Sequence, residues 1–233
     1  MQFLNMEHEI LDMLKHLEIK NFRLAKEINE WPVDIAFVEG TPTNRDEIRK
    51  LLKIRRDSKL LVALGSCAAT GGIPALVNAM EKKEAMKVYN GMPPEIPVDA
   101  KPLKYYVNVD YTLYGCPFSI EELKELITSI IMGKEFRNKR YSVCVECSLM
   151  ENGCLLKEGY LCMGPITRAG CKAKCPSNNA SCLGCRSIYE DANLKGYIKI
   201  LLDKGFSKDE IIEVFSLFSY EELKEVIAWL KEE

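Results

Sequence analysis

Eight cysteines crowd into the 42 residues from Cys144 to Cys185, spaced C-x2-C-x6-C-x7-C-x8-C-x3-C-x6-C-x2-C, and no other feature limits the folded state so strongly. Residues 141–186 sustain neither the two-residue period of a strand nor the 3.6-residue period of a helix, and Gly, Pro, Ser and Asn fill the gaps. A hydrophobic core alone does not hold such a segment. Eight thiols in one block suit two four-ligand sites, and three chemistries compete for them. Disulfides belong to exported, stapled domains, and the start MQFLNMEHEI has neither a basic n-region nor an apolar h-region. Structural zinc takes four thiolates, and each C-x2-C pair supplies half a site. Iron–sulfur clusters also take four thiolates, and Gly- and Pro-bearing loops can turn backbone N–H groups toward the sulfurs. The ferredoxin run C-x2-C-x2-C-x3-C-P is absent. Within the segment Lys157, Arg168, Lys172, Lys174 and Arg186 outnumber Glu146, Glu151 and Glu158, the sign an anionic cluster favours, although solvated loop lysines are the ordinary explanation.

The rest of the 233-residue chain is long enough to bury a core without staples. Its 34 acidic and 32 basic residues nearly cancel, so no charge excess points to nucleic acid or a membrane surface. No apolar run approaches the roughly 20 residues of a membrane span, so the chain reads as soluble and cytoplasmic. Phe3, Met6, Ile10, Met13, Leu14 and Leu17 predict an amphipathic first helix, NFRLA a short strand, and VDIAFVEG a strand ending at Glu39 and Gly40. TPTNRDEIRKLLKIRRDSK carries a cap, first-turn acids and a basic last turn. LLVALGSC predicts the next strand, IPALVNAM a helix, residues 84–104 an irregular stretch, and YYVNVDYTLYGC a strand running to Cys116. SIEELKELITSIIMG opens on the capping pair Ser119 and Glu122 and stops at Gly133. This alternation predicts an open α/β domain with a parallel sheet over residues 1–135, then an irregular two-site segment over 136–187. C-terminal helices follow over 188–233, with capping pairs Ser207–Glu210 and Ser219–Glu222 and a stop at Gly205.

Cys67 and Cys116 stand apart from the block, and each is expected at the end of a strand, in GSC and YGCP. Ligands of open α/β sheets bind outside the carboxyl ends of the strands, where two such cysteines can meet. One isolated Cys is more simply a small buried hydrophobe, but two at equivalent strand ends suggest a shared site. Two thiolates are half a four-ligand set, and His8 and His16 have nothing ligand-like beside them.

VDIAFVEG, LVALGSCAATGGIPAL, YGCPFS and the run VCVECSLMENGCLLKEGYLCMGPITRAGCKAKCPSNNASCLGCRS together resemble the small, electron-transferring subunit of [NiFe] hydrogenases. The nearest branch is the cytoplasmic archaeal one, with sulfhydrogenase delta subunits and F420-non-reducing hydrogenases. The resemblance implies a flavodoxin-like domain holding a proximal [4Fe–4S] cluster near the nickel–iron site of a large subunit, followed by medial and distal clusters. Carried over by motif, Cys67 and Cys116 match two proximal ligands, Cys144, Cys147, Cys154 and Cys162 the distal set, and Cys171, Cys175, Cys182 and Cys185 the medial set. Many exported relatives have His where Cys144 stands and Pro where Cys175 stands, so cysteine at both implies two ordinary [4Fe–4S] clusters. Family members also begin with a strand ending in a C-x2-C pair just before the helix that is first here. The expectation is therefore a first strand and two further proximal ligands upstream of Met1; in the alternative, Asn5 caps the helix and the proximal cluster is absent.

The resemblance implies an electron relay between a [NiFe] large subunit and a flavin or other electron-acceptor subunit, with no catalytic residue of its own. Glu39 is a candidate for contacting the large subunit or relaying a proton, against the plainer reading of a loop acid. Two other functions stay open: a zinc-organised scaffold or assembly protein, and an iron–sulfur subunit of another oxidoreductase related to complex I.

Overall fold

Ser58–Leu64 is the strand around which the first half is arranged. A computed structural model describes residues 17–21, 30–81, 84 and 99–232. The amphipathic helix expected before Leu17, nearly all of the NFRLA strand and most of residues 84–104 lie outside them. Three strands, β1 (Val33–Glu39), β2 (Ser58–Leu64) and β3 (Tyr111–Leu113), form a parallel sheet in the order β1-β2-β3. The register runs from Val33 opposite Ser58 to Glu39 opposite Leu64, and from Val62 opposite Tyr111 to Leu64 opposite Leu113.

Successive side chains of a strand point to opposite faces, and β2 is apolar on both. Val62 and Leu64 join Leu113, Phe118, Leu123, Leu126 and Ile127 on one side, while Leu61 and Ala63 join Leu51, Ala68 and Leu103 on the other. Helix α1 (Arg45–Arg56) covers the second face. Asn44 caps it by accepting from the Glu47 N–H at 2.9 Å, with Asp46 and Glu47 at its positive end and Lys53, Arg55 and Arg56 at its negative end. Helix α3 (Ile120–Ile131) covers the first face. An α/β sheet with helices on both faces is therefore present, as the alternation of patterns predicts.

Three local expectations shift. The strand expected to reach Cys67 stops at Leu64, because Gly65 (φ 78°) turns the chain into the short helix α2 (Gly65–Thr70). Tyr111–Leu113 is the whole of β3, so Cys116 lies in the turn beyond it. IPALVNAM is helical over Ile73–Ala79 but with the tighter 3₁₀ winding.

The second half contains the seven-residue α4 (Val143–Leu149), a 3₁₀ turn at Pro176–Asn178, α5 (Leu194–Asp203) and α6 (Lys208–Glu232). Helices α5 and α6 bury Tyr197, Ile198, Leu201, Ile211, Phe215, Leu223 and Ile227 against Val143, Cys162, Met163, Ile166, Ala173 and Cys182. The cysteine segment thus shares an apolar core with the helices that follow it. Ser207 and Glu210 form the expected reciprocal cap. Ser219 breaks α6 (φ −131°, ψ 23°) without forming the expected box, since its hydroxyl has no hydrogen-bond partner and Glu222 instead accepts from the Ser187 hydroxyl at 2.6 Å. Among the described residues no helix is long and apolar enough to cross a membrane.

Candidate metal centres

Cys67 is the third residue of α2, just past the carboxyl end of β2, and Cys116 follows β3 by three residues. The Ser66 N–H donates to the Gly115 carbonyl at 2.9 Å and ties these two turns together. The thiols feel one another. Burial pushes the Cys67 thiol up, charge on Cys116 and on Glu39 adds to that, and the Ile73 N–H opposes it. Glu39 is exposed at the end of β1. A side chain at Gly72 would place its Cβ 2.9 Å from the Cys67 Sγ, so the sulfur lies against bare backbone.

In the cysteine block Cys144 feels one group of thiols and Cys185 another. Cys144 and Cys147 sit one turn apart on α4. Burial pushes the Cys144 thiol up to about 11, helped by Cys162, Cys147 and Cys154 in that order. Burial likewise pushes Cys185 up to about 11; a hydrogen bond from the Cys116 backbone works against this, and Cys171 and Cys175 add to it. Cys182 is raised too, chiefly by burial, and senses both Cys162 and Cys185. Its backbone N–H donates to the Cys162 Sγ at 3.4 Å. The Ser66 hydroxyl, beside Cys67, donates to the Cys185 carbonyl, so contacts run from the Cys67 turn to Cys185 and from Cys182 to Cys162.

The donor set suits a polynuclear iron–sulfur group. All ten cysteines are free. Where several buried thiols each resist the ionisation of the others, an anionic set needs a multivalent cationic centre to compensate it. Among the described residues no three His, Cys, Asp or Glu side chains converge closely enough to hold one ion. Gly164 leaves space on the sulfurs of the first group, since a Cβ there would stand 3.3 Å from the Cys144 Sγ and 3.5 Å from the Cys162 Sγ.

Four side chains, three of which the sequence offers only as part of a charge balance, hold the backbone around these thiols. Glu146, between Cys144 and Cys147, accepts from the Gly170 N–H at 2.8 Å and the Ala173 N–H at 3.3 Å, and so clamps the loop bearing Cys171. The buried Tyr197 donates to the Cys162 carbonyl. Arg168 donates to the carbonyls of Lys139 and Ile188 and stacks 4.7 Å over the Tyr114 ring. Arg186, fully buried, donates to the Ala169 and Tyr114 carbonyls and to both carboxylate oxygens of Glu122. In the sequence these are ordinary charged or aromatic residues, and only the fold shows which carbonyls they reach.

Residues 1–130 match the family model described as NADH ubiquinone oxidoreductase, 20 Kd subunit. The chain is 39% identical over 198 residues to the sulfhydrogenase 2 subunit delta of Pyrococcus furiosus, covering 83% of this chain and 82% of that one. It is 33% identical over 215 residues to a subunit of the F420-non-reducing hydrogenase of Methanocaldococcus jannaschii, covering 78% of this chain and 75% of that one. Among solved structures, a chain of an NAD+-reducing [NiFe]-hydrogenase in the H2-reduced state matches with a TM-score of 0.51 at 25% identity, over 57% of this chain and 83% of that chain. A reduced, active Ni-Fe-Se hydrogenase from Desulfomicrobium baculatum shares the fold, with a TM-score of 0.52 at 17% identity over 83% of this chain and 90% of that one.

Proposed function

Because the chain belongs to the family of the 20 Kd subunit of NADH ubiquinone oxidoreductase, with hydrogenase subunits among its relatives, we propose that it is the electron-relay iron–sulfur subunit of a [NiFe] hydrogenase. Its reading as a hydrogenase subunit rests on those relatives. The relay rests on one observation, the succession of contacts from the Ser66 hydroxyl, beside Cys67, to the Cys185 carbonyl and from the Cys182 N–H to the Cys162 Sγ. A bound [4Fe–4S] group supplies one-electron chemistry with little change of geometry.

The residues divide the work along that succession. Cys67 and Cys116 contribute to a proximal site facing the large subunit, with the exposed acid Glu39 on the same side. Cys171, Cys175, Cys182 and Cys185 hold the medial group, and Cys144, Cys147, Cys154 and Cys162 the distal one. The Ser66 hydroxyl at the Cys185 carbonyl and the Cys182 N–H at the Cys162 Sγ each tie the chain of one site to a ligand residue of the next. Tyr197 and the short helix α4 keep the distal ligands on the apolar core shared with α5 and α6. The organisation that follows is an α/β domain over 1–135, a two-cluster segment over 136–187 and closing helices over 188–233. The partners are a large subunit and a flavin or other acceptor subunit, in the cytoplasm.

Anaerobic purification of the chain with its partner subunits tests this. The expected product is brown, contains acid-labile sulfide and roughly four irons per complete site, and gives cluster signals by electron paramagnetic resonance on reduction. A colourless protein holding only zinc, or a preparation that never contains nickel, overturns it.

A further inference from the structure

Arg186 directly follows Cys185, and its guanidinium is 1% exposed. Burying a charge is costly unless it is paired and hydrogen-bonded, and here the pairing is complete. Nη2 donates to Glu122 Oε1 at 2.8 Å and to Oε2 at 2.7 Å, Nη1 to the Tyr114 carbonyl at 2.7 Å and Nε to the Ala169 carbonyl at 3.0 Å. Glu122 is itself 4% exposed. Burial pushes its carboxyl up, and the facing guanidinium pulls the other way. The chain makes room for this pair at Gly170, next to Cys171. A Cβ there would collide with Glu122 Oε1 and Arg186 Nη2 and stand 2.9 Å from the Arg186 Cζ, and the backbone adopts φ 119°.

The pair has a direction. Arg186 belongs to the cysteine segment itself: it follows Cys185 directly, and its Nε donates to the Ala169 carbonyl, two residues before Cys171. Glu122 reaches the guanidinium from α3, so the positive end of the pair lies on the thiol side and the negative end on α3. An ion pair placed only to fasten the segment to α3 has no need of that orientation.

We propose that Arg186 is a positioning residue that raises the reduction potential at the Cys171, Cys175, Cys182 and Cys185 site, its charge fixed in place by Glu122. The inference rests on the relay reading above. One electron enters from the neighbouring site in the relay, no bond is made or broken, and no proton is exchanged with the pair. The added negative charge is met by a guanidinium that is already oriented, in a medium that screens weakly.

The test is a redox titration of the anaerobically purified complex, followed by electron paramagnetic resonance, in three variants. Glu122→Gln leaves Arg186 uncompensated, and the potential at this site is expected to rise. The double variant Glu122→Gln with Arg186→Met removes both charges without leaving one buried alone, and the potential is expected to fall below that of the unmodified protein. Arg186→Lys keeps the charge while losing the two-pronged geometry, and is expected to hold the potential near its original value while lowering thermal stability. Potentials at the Cys144 site change less than at the Cys171 site throughout. Intact clusters with the same potential in the double variant as in the unmodified protein overturn the tuning role and leave the relay standing. If the unmodified complex holds no clusters, the relay reading fails and the tuning role goes with it.

Discussion

The α/β half and the cysteine half of the molecule solve the same problem by different means. In residues 33–131 alternate side chains of β2 divide between two apolar cores, each closed by a capped helix, and nothing in that packing needs a metal. In residues 141–186 regular structure amounts to the seven residues of α4 and the 3₁₀ turn at Pro176–Asn178. Beyond the apolar core borrowed from α5 and α6, order there comes from side chains aimed at backbone: Glu146 at Gly170 and Ala173, Arg168 at Lys139 and Ile188, Arg186 at Ala169 and Tyr114. Such bonds specify a loop once it is formed but contribute only about 0.5–3 kcal/mol each. The contrast implies that the first half holds itself together by burial, and that the second needs whatever its thiols bind.

Removing iron is the strongest way to break the comparison. Metal binding by a thiolate site is itself folding free energy, on the order of 10 kcal/mol for structural sites. Chelation under anaerobic conditions is therefore expected to abolish amide protection over 143–189 while Ser58–Leu64 stays protected, as read by hydrogen exchange. Equal loss in both halves would show that the sheet also depends on the clusters.

The junction between the halves comes next. Arg186→Met strands the Glu122 carboxylate inside the protein, and breaking a buried pair this way costs about 3–5 kcal/mol. Because the pair joins α3 to the cysteine segment, denaturant unfolding is expected to weaken both halves together. A variant that destabilises only the cysteine half would show that the two are coupled elsewhere.

Leu61→Ala sharpens the comparison from the other side. Leu61 is fully buried beside Leu51 and Leu103, and truncating a buried leucine costs about 2–5 kcal/mol. The loss is expected in global stability with cluster signals unchanged. Altered signals from the Cys144 site would mean that the α/β core shapes the distal thiols.

The same contrast explains what was legible in the sequence. The sheet, α1 and α3 could be read because burial and capping are local patterns: period, cap and stop all lie within a dozen residues. The cysteine spacing was legible because ligand number is a local count. What escaped was decided at long range. Ser119 and Glu122 read as a capping box, and the Glu122 N–H does donate to the Ser119 hydroxyl, but the carboxylate turns instead to a guanidinium 64 residues away. Ser219 and Glu222 read the same way, and there Ser187 claims the carboxylate across 35 residues. In both places a charge-assisted bond to a buried partner outweighs the local backbone N–H that would close the box. Cys67 lies in a helix and not at a strand end because Gly65 turns the chain at φ 78°, and the Ser66 N–H that follows is claimed by the Gly115 carbonyl 49 residues away.

The smallest expected effect is at Glu121, next to the residue with one of the largest. Glu121 and Glu122 are consecutive on α3, and both reach the cysteine segment, Glu121 to Lys172 at 3.2 Å and Glu122 to Arg186. The Glu121 side chain is 66% exposed and that of Lys172 69%, against 5% and 1% for the inner pair. Its own backbone N–H, the Ser119 hydroxyl and the Lys172 ammonium lower the Glu121 carboxyl to about 2. A lowered folded value means stability that is present in full above the ordinary carboxylate range and lost as pH falls through about 2. Solvent and salt screen an exposed pair, so the contribution stays within about 0–1 kcal/mol. Glu121→Gln is expected to cost a few tenths of a kcal/mol at pH 7 (about 0.3), with the difference narrowing as pH is lowered from about 4.5 and vanishing near 1 M salt. Thermal unfolding of the two proteins at low and high salt measures it. A loss as large as that of Arg186→Met would mean that the outer contact, and not burial of the inner one, fastens the cysteine half to the sheet.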